Sequence, residues 1–140
     1  MKKSFVYSFI MLAIMATLIA ACGGGETAAP AVPEGPVVPA EYAGKTNSFA
    51  GSSEAIAEGK QVFESTCAAC HGDTGLGDGP AAAALTPQPA SLVEVNKTAA
   101  DDYLLWRISD GKEGTAMVSW KTSFSEDQIW QVISYLRTFK

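Results

Sequence analysis

The sequence predicts a small all-α domain over Ser53 to Lys140, preceded by an export signal and a Pro/Gly-rich linker. Three observations predict it. Apolar residues recur at helical spacing in three separate stretches, each stretch carries capping or stop residues, and no run alternates as a half-buried strand does. The domain boundaries follow as 1–21 signal, 22–52 linker and 53–140 helical domain.

Each helix has its own marks. Ser53 is placed to cap a helix from Glu54, on which Ile56, Lys60 and Phe63 share a face with Gly59 beside them. A second helix starts after Thr98, turns Leu104, Leu105 and Ile108 inward and stops at Gly111. The third is the best marked: Ser125 and Gln128 form a capping box, Phe124 and Ile129 stand at staple positions, and Ile129, Val132, Ile133 and Leu136 keep helical spacing. Asp101 and Asp102 read as favourable charge at a helix N-terminus, and Trp120 and Trp130 as core packing. Three short helices in 88 residues bury little apolar surface, so a further component must fill the middle.

Ahead of the domain, Lys2 and Lys3 precede an apolar run from Phe5 to Ala21, the pattern of an export signal. Ile19-Ala20-Ala21-Cys22 resembles the bacterial lipoprotein signal, in which the cysteine is acylated and becomes the new N-terminus. An uncleaved signal anchor is the rival, but the Gly-Gly-Gly run directly behind Cys22 suits processing better than a helix end. Both readings place the rest of the chain outside the cytoplasm and held to the membrane. Prolines at 30, 33, 36 and 39 then match the three-residue turn of polyproline II, predicting an extended spacer without a core of its own. It serves either as a leash or as a strap on a partner protein, with Val37, Val38, Tyr42 and Phe49 as apolar anchors.

The whole chain has 10 basic and 15 acidic residues, and loss of the signal leaves 8 basic residues and a net charge of −7. An acidic surface with no basic run argues against a nucleic-acid partner. Three cysteines and one histidine are too few for a structural zinc site and too odd in number for a disulfide framework.

Cys67-Ala68-Ala69-Cys70-His71 carries the chemistry. Two thiols three residues apart reach the two vinyl groups of a haem, and the adjacent histidine is placed to bind the iron, so C-x-x-C-H reads as c-type haem attachment. A thioredoxin-type pair would sit in a βαβ setting, for which there is no pattern here. Met1, Met11 and Met15 leave with the signal, so Met117 is the only thioether in the mature chain and His71 the only imidazole. Met117, forty-six residues beyond His71, is thereby the candidate second axial ligand. Trp106 and Arg107 are candidates to meet the haem propionates, with Lys112 neutralising one.

With these residues in place, Ser53 to Lys140 resembles a class I monohaem cytochrome c. The resemblance rests on Gly59 and Phe63, the Cys67-to-Gly72 motif, Gly79-Pro80, Gly114-Thr115-Ala116-Met117 and Ile133-Ser134-Tyr135-Leu136. It implies that Gly59 and Tyr135 lie where the first and last helices cross, and that the Pro80 carbonyl orients His71. Val118 stands where the family often has proline after the ligand methionine. The signal, the linker, Gly77-Asp78-Gly79-Pro80-Ala81, Leu85-Thr86-Pro87-Gln88-Pro89 and Trp120 are similar to the monohaem lipoprotein subunit of alternative complex III. That resemblance implies a membrane-tethered electron carrier within a quinol-oxidising respiratory or photosynthetic complex, passing electrons on to a soluble copper protein or cytochrome. A free lipoprotein shuttle and a cytochrome subunit of a periplasmic dehydrogenase share these motifs. A haem enzyme or gas sensor would need distal acid–base groups, and no second histidine supplies one.

The signal reading generates a mass prediction. The mature polypeptide is expected to lack residues 1–21 and to carry two or three acyl chains on Cys22, since a single chain anchors only marginally. Intact mass spectrometry checks this, and Cys22→Ser is expected to block attachment; a mass that retains residues 1–21 supports the signal anchor instead.

Overall fold

The structure, a computed structural model, describes residues 36–140. The signal, Cys22 and the first part of the linker lie outside the described residues. Among the described residues there is no strand, and no helix is long and apolar enough to cross a membrane.

The helices are α1 (Ser53–Val62), α2 (Ala68–His71), α3 (Leu92–Asn96), α4 (Asp101–Asp110) and α5 (Glu126–Leu136). A π-helical turn, Phe63–Cys67, joins α1 to α2, and a 3₁₀ turn occupies Ala82–Ala84. The cap of α1 is Ser52, one residue earlier than the sequence suggests, its side chain accepting from the Ala55 amide. Gly111 ends α4 at φ 77°, a conformation that suits a residue without a β-carbon. At α5 the capping box is complete: Ser125 accepts from the Gln128 amide and Gln128 accepts from the Ser125 amide.

α1 crosses α5 at Gly59, and a β-carbon built there would land on the Gln131 carbonyl. The helices therefore meet backbone to backbone. This changes the buried face expected for α1: Ala55, Gly59 and Phe63 are buried, whereas Lys60 is exposed and Ile56 only partly covered. At Gly59 itself nothing larger fits, because a side chain there would hold α5 away, while Phe63 packs beside the crossing. Tyr135 and Phe139 close the crossing on Phe63 with ring centroids 5.5 and 5.3 Å away, tilted or edge-on as aromatic quadrupoles prefer. At the far end of α5, Arg137 bonds Asp101 and the Ala99 carbonyl, fixing the start of α4.

Residues 36–52 depart from the expected linker. They do not form a spacer; they pack on the helical domain, and the compact unit begins at Pro36. Tyr42 is buried in one cluster with Leu104, Leu105, Ile129, Trp130 and Ile133, and Val38 and Phe49 pack against it. Asn47, also buried, donates to the Trp130 carbonyl and to Ser134 Oγ. Of the four anchors foreseen for a partner, three are spent on this chain's own core, and Val37 alone stays exposed.

Three carboxylates fasten this segment, Asp102 by accepting from the Gly44 amide and two others by accepting from side chains. Asp110 accepts from Tyr42 and Lys121, and Glu126 accepts from Lys45. The Lys121 bond first, and then Tyr42, hold Asp110 below its ordinary 3.8, while Lys45 holds Glu126 below 4.5. A depressed folded-state value means that the stabilisation is fully present above the ordinary value and is lost as pH falls through the lowered one. Residues 36–52 are thus expected to keep their amide protection from pH 7 down to pH 5 and to lose it below about pH 4, ahead of the α1–α5 pair. Hydrogen exchange by mass spectrometry across that range checks it.

Candidate functional site

The C-x-x-C-H motif occupies the π turn and α2. The following loop folds back over this short helix and satisfies its carbonyls: the Gly77 amide donates to His71, Gly79 to Cys70 and Ala81 to Ala69. Gly79 is required by closeness, since a β-carbon there would meet the Ala68 and Ala69 carbonyls. The Gly79-Pro80 pair therefore shapes the loop that clamps the motif.

Pro80 itself is exposed and takes no part in the cavity that His71 lines. The structure corrects the role expected for it: the backbone carbonyl facing the His71 ring is that of Ala90. Burial pushes the His71 pKa down and the Ala90 carbonyl pulls it up, with burial the larger effect. Nδ1 of His71 is buried and has no hydrogen-bond partner within the protein. A neutral imidazole is the form that ligates a metal. Burial, with Cys70 adding to it, pushes the Cys67 thiol up to about 11, so it is protonated at neutral pH. A protonated thiol is a poor nucleophile in disulfide exchange.

A cavity of about 310 Å³ opens beside the motif, its lining mostly apolar. Phe63, Cys67, Cys70 and His71 form one part, Val132 and Leu136 of α5 another, and Leu104, Arg107 and Ile108 of α4 a third. The Leu85–Leu92 segment and the loop after α4 complete it, and that loop brings in Met117. Met117, distant in sequence, thus lines one space with Cys67, Cys70 and His71. Lys112 and Trp120 line it too; Trp106 does not, and Trp130 is buried in the core as expected. Sequence reasoning overlooked α3, whose Leu92 and Val95 also line the cavity. Its signal was present as Ser91-Leu92-Val93-Glu94, a capping pattern in which Ser91 accepts from the Glu94 amide.

The residues present fit a haem. Protein interiors are close-packed, and an apolar space of this size inside a small helical domain is matched to a large flat apolar group. Two polar atoms of the lining residues, His71 Nδ1 and Arg107 Nε, are buried with no partner in the protein. Arg107 lies with its guanidinium 3.6 Å from the Trp106 ring centroid and 5.3 Å from that of Tyr103, which orients the fork. Arg107 and Lys112 are the basic residues of the lining and suit the propionates.

Fold and site together define a class I monohaem cytochrome c, with haem c attached through Cys67 and Cys70. Residues 54–136, more than half of the chain, match the family model described as cytochrome c oxidase, cbb3-type, subunit III, and the chain belongs to that family. No curated protein sequence matches the chain significantly. Among solved structures, it is similar to a chain of the reducing HAO-like protein complex of Kuenenia stuttgartiensis, with TM-score 0.57, 26% identity and 63% of this chain covered. It spans 44% of that chain's length. It also shares its fold with cytochrome CL of the marine methylotrophic bacterium Methylophaga aminisulfidivorans, with TM-score 0.55, 20% identity, and 80% and 71% of the two chains covered.

Covalent attachment gives a direct expectation. The polypeptide keeps its colour through denaturation and acid-acetone extraction, because thioethers survive unfolding. Cys67→Ala with Cys70→Ala is expected to yield a colourless chain with reduced helix content by circular dichroism, because the cavity then has nothing to fill it.

Proposed function

We propose that this protein is a membrane-tethered electron carrier, fixed through lipid on Cys22, with His71 and Met117 as the residues that would ligate the haem iron. The observation that carries the reading is that Met117, the only methionine among the described residues, lines the same cavity as the chain's only histidine. Haem supplies a one-electron Fe(II)/Fe(III) couple. The chain's residues would set its terms: the Met117 thioether would favour the reduced iron and raise the potential, the apolar lining would exclude water, and Arg107 and Lys112 would balance the propionate charge.

The partner is proposed to be a resident one, namely the other subunits of a quinol-oxidising complex similar to alternative complex III, with a soluble copper protein or cytochrome as acceptor. Two features support it. The signal and Cys22 hold the chain to a surface where such complexes work. From Gln61 to Asn96 there is no Lys or Arg, while Leu76 is 53% exposed there and Val118, on the rim of the cavity, 59%. A diffusing shuttle relies on a charged ring to steer it, whereas this edge offers apolar contact with a thin acidic border.

Two measurements test this. Met117→Ala is expected to lower the potential and abolish the weak far-red absorption of the Fe(III)–thioether bond; unchanged values mean another ligand. Electron exchange in native membranes is expected to vary little over a salt series, since apolar contact is not screened over the roughly 8 Å Debye length at physiological ionic strength. A steep fall with salt identifies a free shuttle instead.

A further inference from the structure

Met117 lies in a loop whose two arms are held differently. The entry arm is held locally: Thr115 Oγ1 donates to the Lys112 carbonyl and accepts from the Met117 amide, and the Lys112 amide donates to the Met117 carbonyl at 2.9 Å. The exit arm hangs on the last turn of α4. There the Ser109 carbonyl accepts from Ser119 Oγ at 2.7 Å and from the Trp120 and Lys121 amides at 3.1 Å each.

Asp110, the last residue of α4, is out of place by local rules. A carboxylate at a helix C-terminus faces the negative end of the dipole. Its Oδ1 accepts at once from Tyr42 Oη at 2.9 Å and Lys121 Nζ at 2.7 Å. Lys121 belongs to the exit arm and is exposed, and an exposed ion pair holds little by itself. Tyr42 is different: its ring is locked in the core, and its phenol, protonated at neutral pH, donates to the carboxylate. The carboxylate is thus immobilised by a buried donor before the lysine reaches it.

We infer that Tyr42, Asp110 and Lys121 form a latch through which the segment ahead of α1 holds the exit arm of the Met117 loop to the end of α4. Tyr42 and Asp110 are positioning residues for the thioether, acting through Lys121. The latch rests on the reading of Met117 as an axial ligand for its effect on the iron, although the tie between the segments stands without it.

The test uses the full-length ferric holoprotein, titrated with imidazole, which must displace the thioether to bind. Tyr42→Phe keeps the ring and loses one hydrogen bond; Asp110→Asn keeps the shape and loses the charge. Each is expected to raise imidazole affinity and to speed hydrogen exchange at the Trp120 and Lys121 amides about five- to tenfold, the scale of one net hydrogen bond. The double variant is expected to exceed neither single by much, because both break one chain of contacts. Glu126→Gln, which removes the segment's separate ion pair between Lys45 and α5, is expected to lower stability and leave both readouts unchanged. Unchanged imidazole affinity and loop exchange in Tyr42→Phe overturn the latch, as does an equal response in Glu126→Gln. Failure of the ligand reading looks different: the wild type lacks the far-red absorption and imidazole affinity is the same in all variants, while the exchange rates still decide whether the tie exists.

Discussion

The backbone contact between Gly59 on α1 and Gln131 on α5 is the constraint on which the rest of the structure depends. With no side chain between them, the two helices meet at the closest distance that polypeptide allows, and each becomes a fixed reference for the other. α1 runs directly into the haem-attachment motif, so its angle decides where Cys67 and Cys70 stand. α5 contributes Val132 and Leu136 to the cavity, so its position decides how deep that space is. One missing β-carbon thereby couples the attachment wall to the wall built by the last helix.

The cavity explains why so few helices suffice. α2 and α3 have four and five residues, too short to hold themselves, and the loops around them are rich in glycine and proline. What each contributes is a few apolar atoms facing inward and a backbone tied to its neighbours. Haem c supplies the missing interior, and its covalent attachment means that it cannot leave when the fold breathes. Burial also sets the chemistry, pushing the His71 pKa down and so favouring the neutral imidazole that ligates a metal.

Much of this was legible in the sequence because its signals are local. The capping box at Ser125 and Gln128, the stop at Gly111 and the C-x-x-C-H motif each lie within a few residues and carry distinctive side chains, and all appear where expected. What was missed is non-local or has no side-chain mark. Every residue has a carbonyl, so nothing singled out Ala90 over Pro80 as the group facing His71. Residues 36–52 read as a spacer because their prolines and glycines are conspicuous and their anchors few. Their affinity for the domain lies in Tyr42 and Asn47, single residues whose partners are 62 or more positions further along, at Leu104 and beyond.

The π-helical turn at Phe63–Cys67 has a consequence for how this chain can change. An α-helix advances about 100° per residue, so eight regular steps from Gly59 would leave Cys67 about 80° off the face that meets α5. A π turn absorbs one residue, and the remaining rotation returns Cys67 to within about 20° of that face. The stretch between the crossing and the attachment site therefore behaves as a phase setting. Chain length here is an angular quantity: loss of one residue between Gly59 and Cys67 can be matched by reversion of the π turn to regular α-helix, and other changes must come in near-whole turns if the haem is to stay attached on the inside.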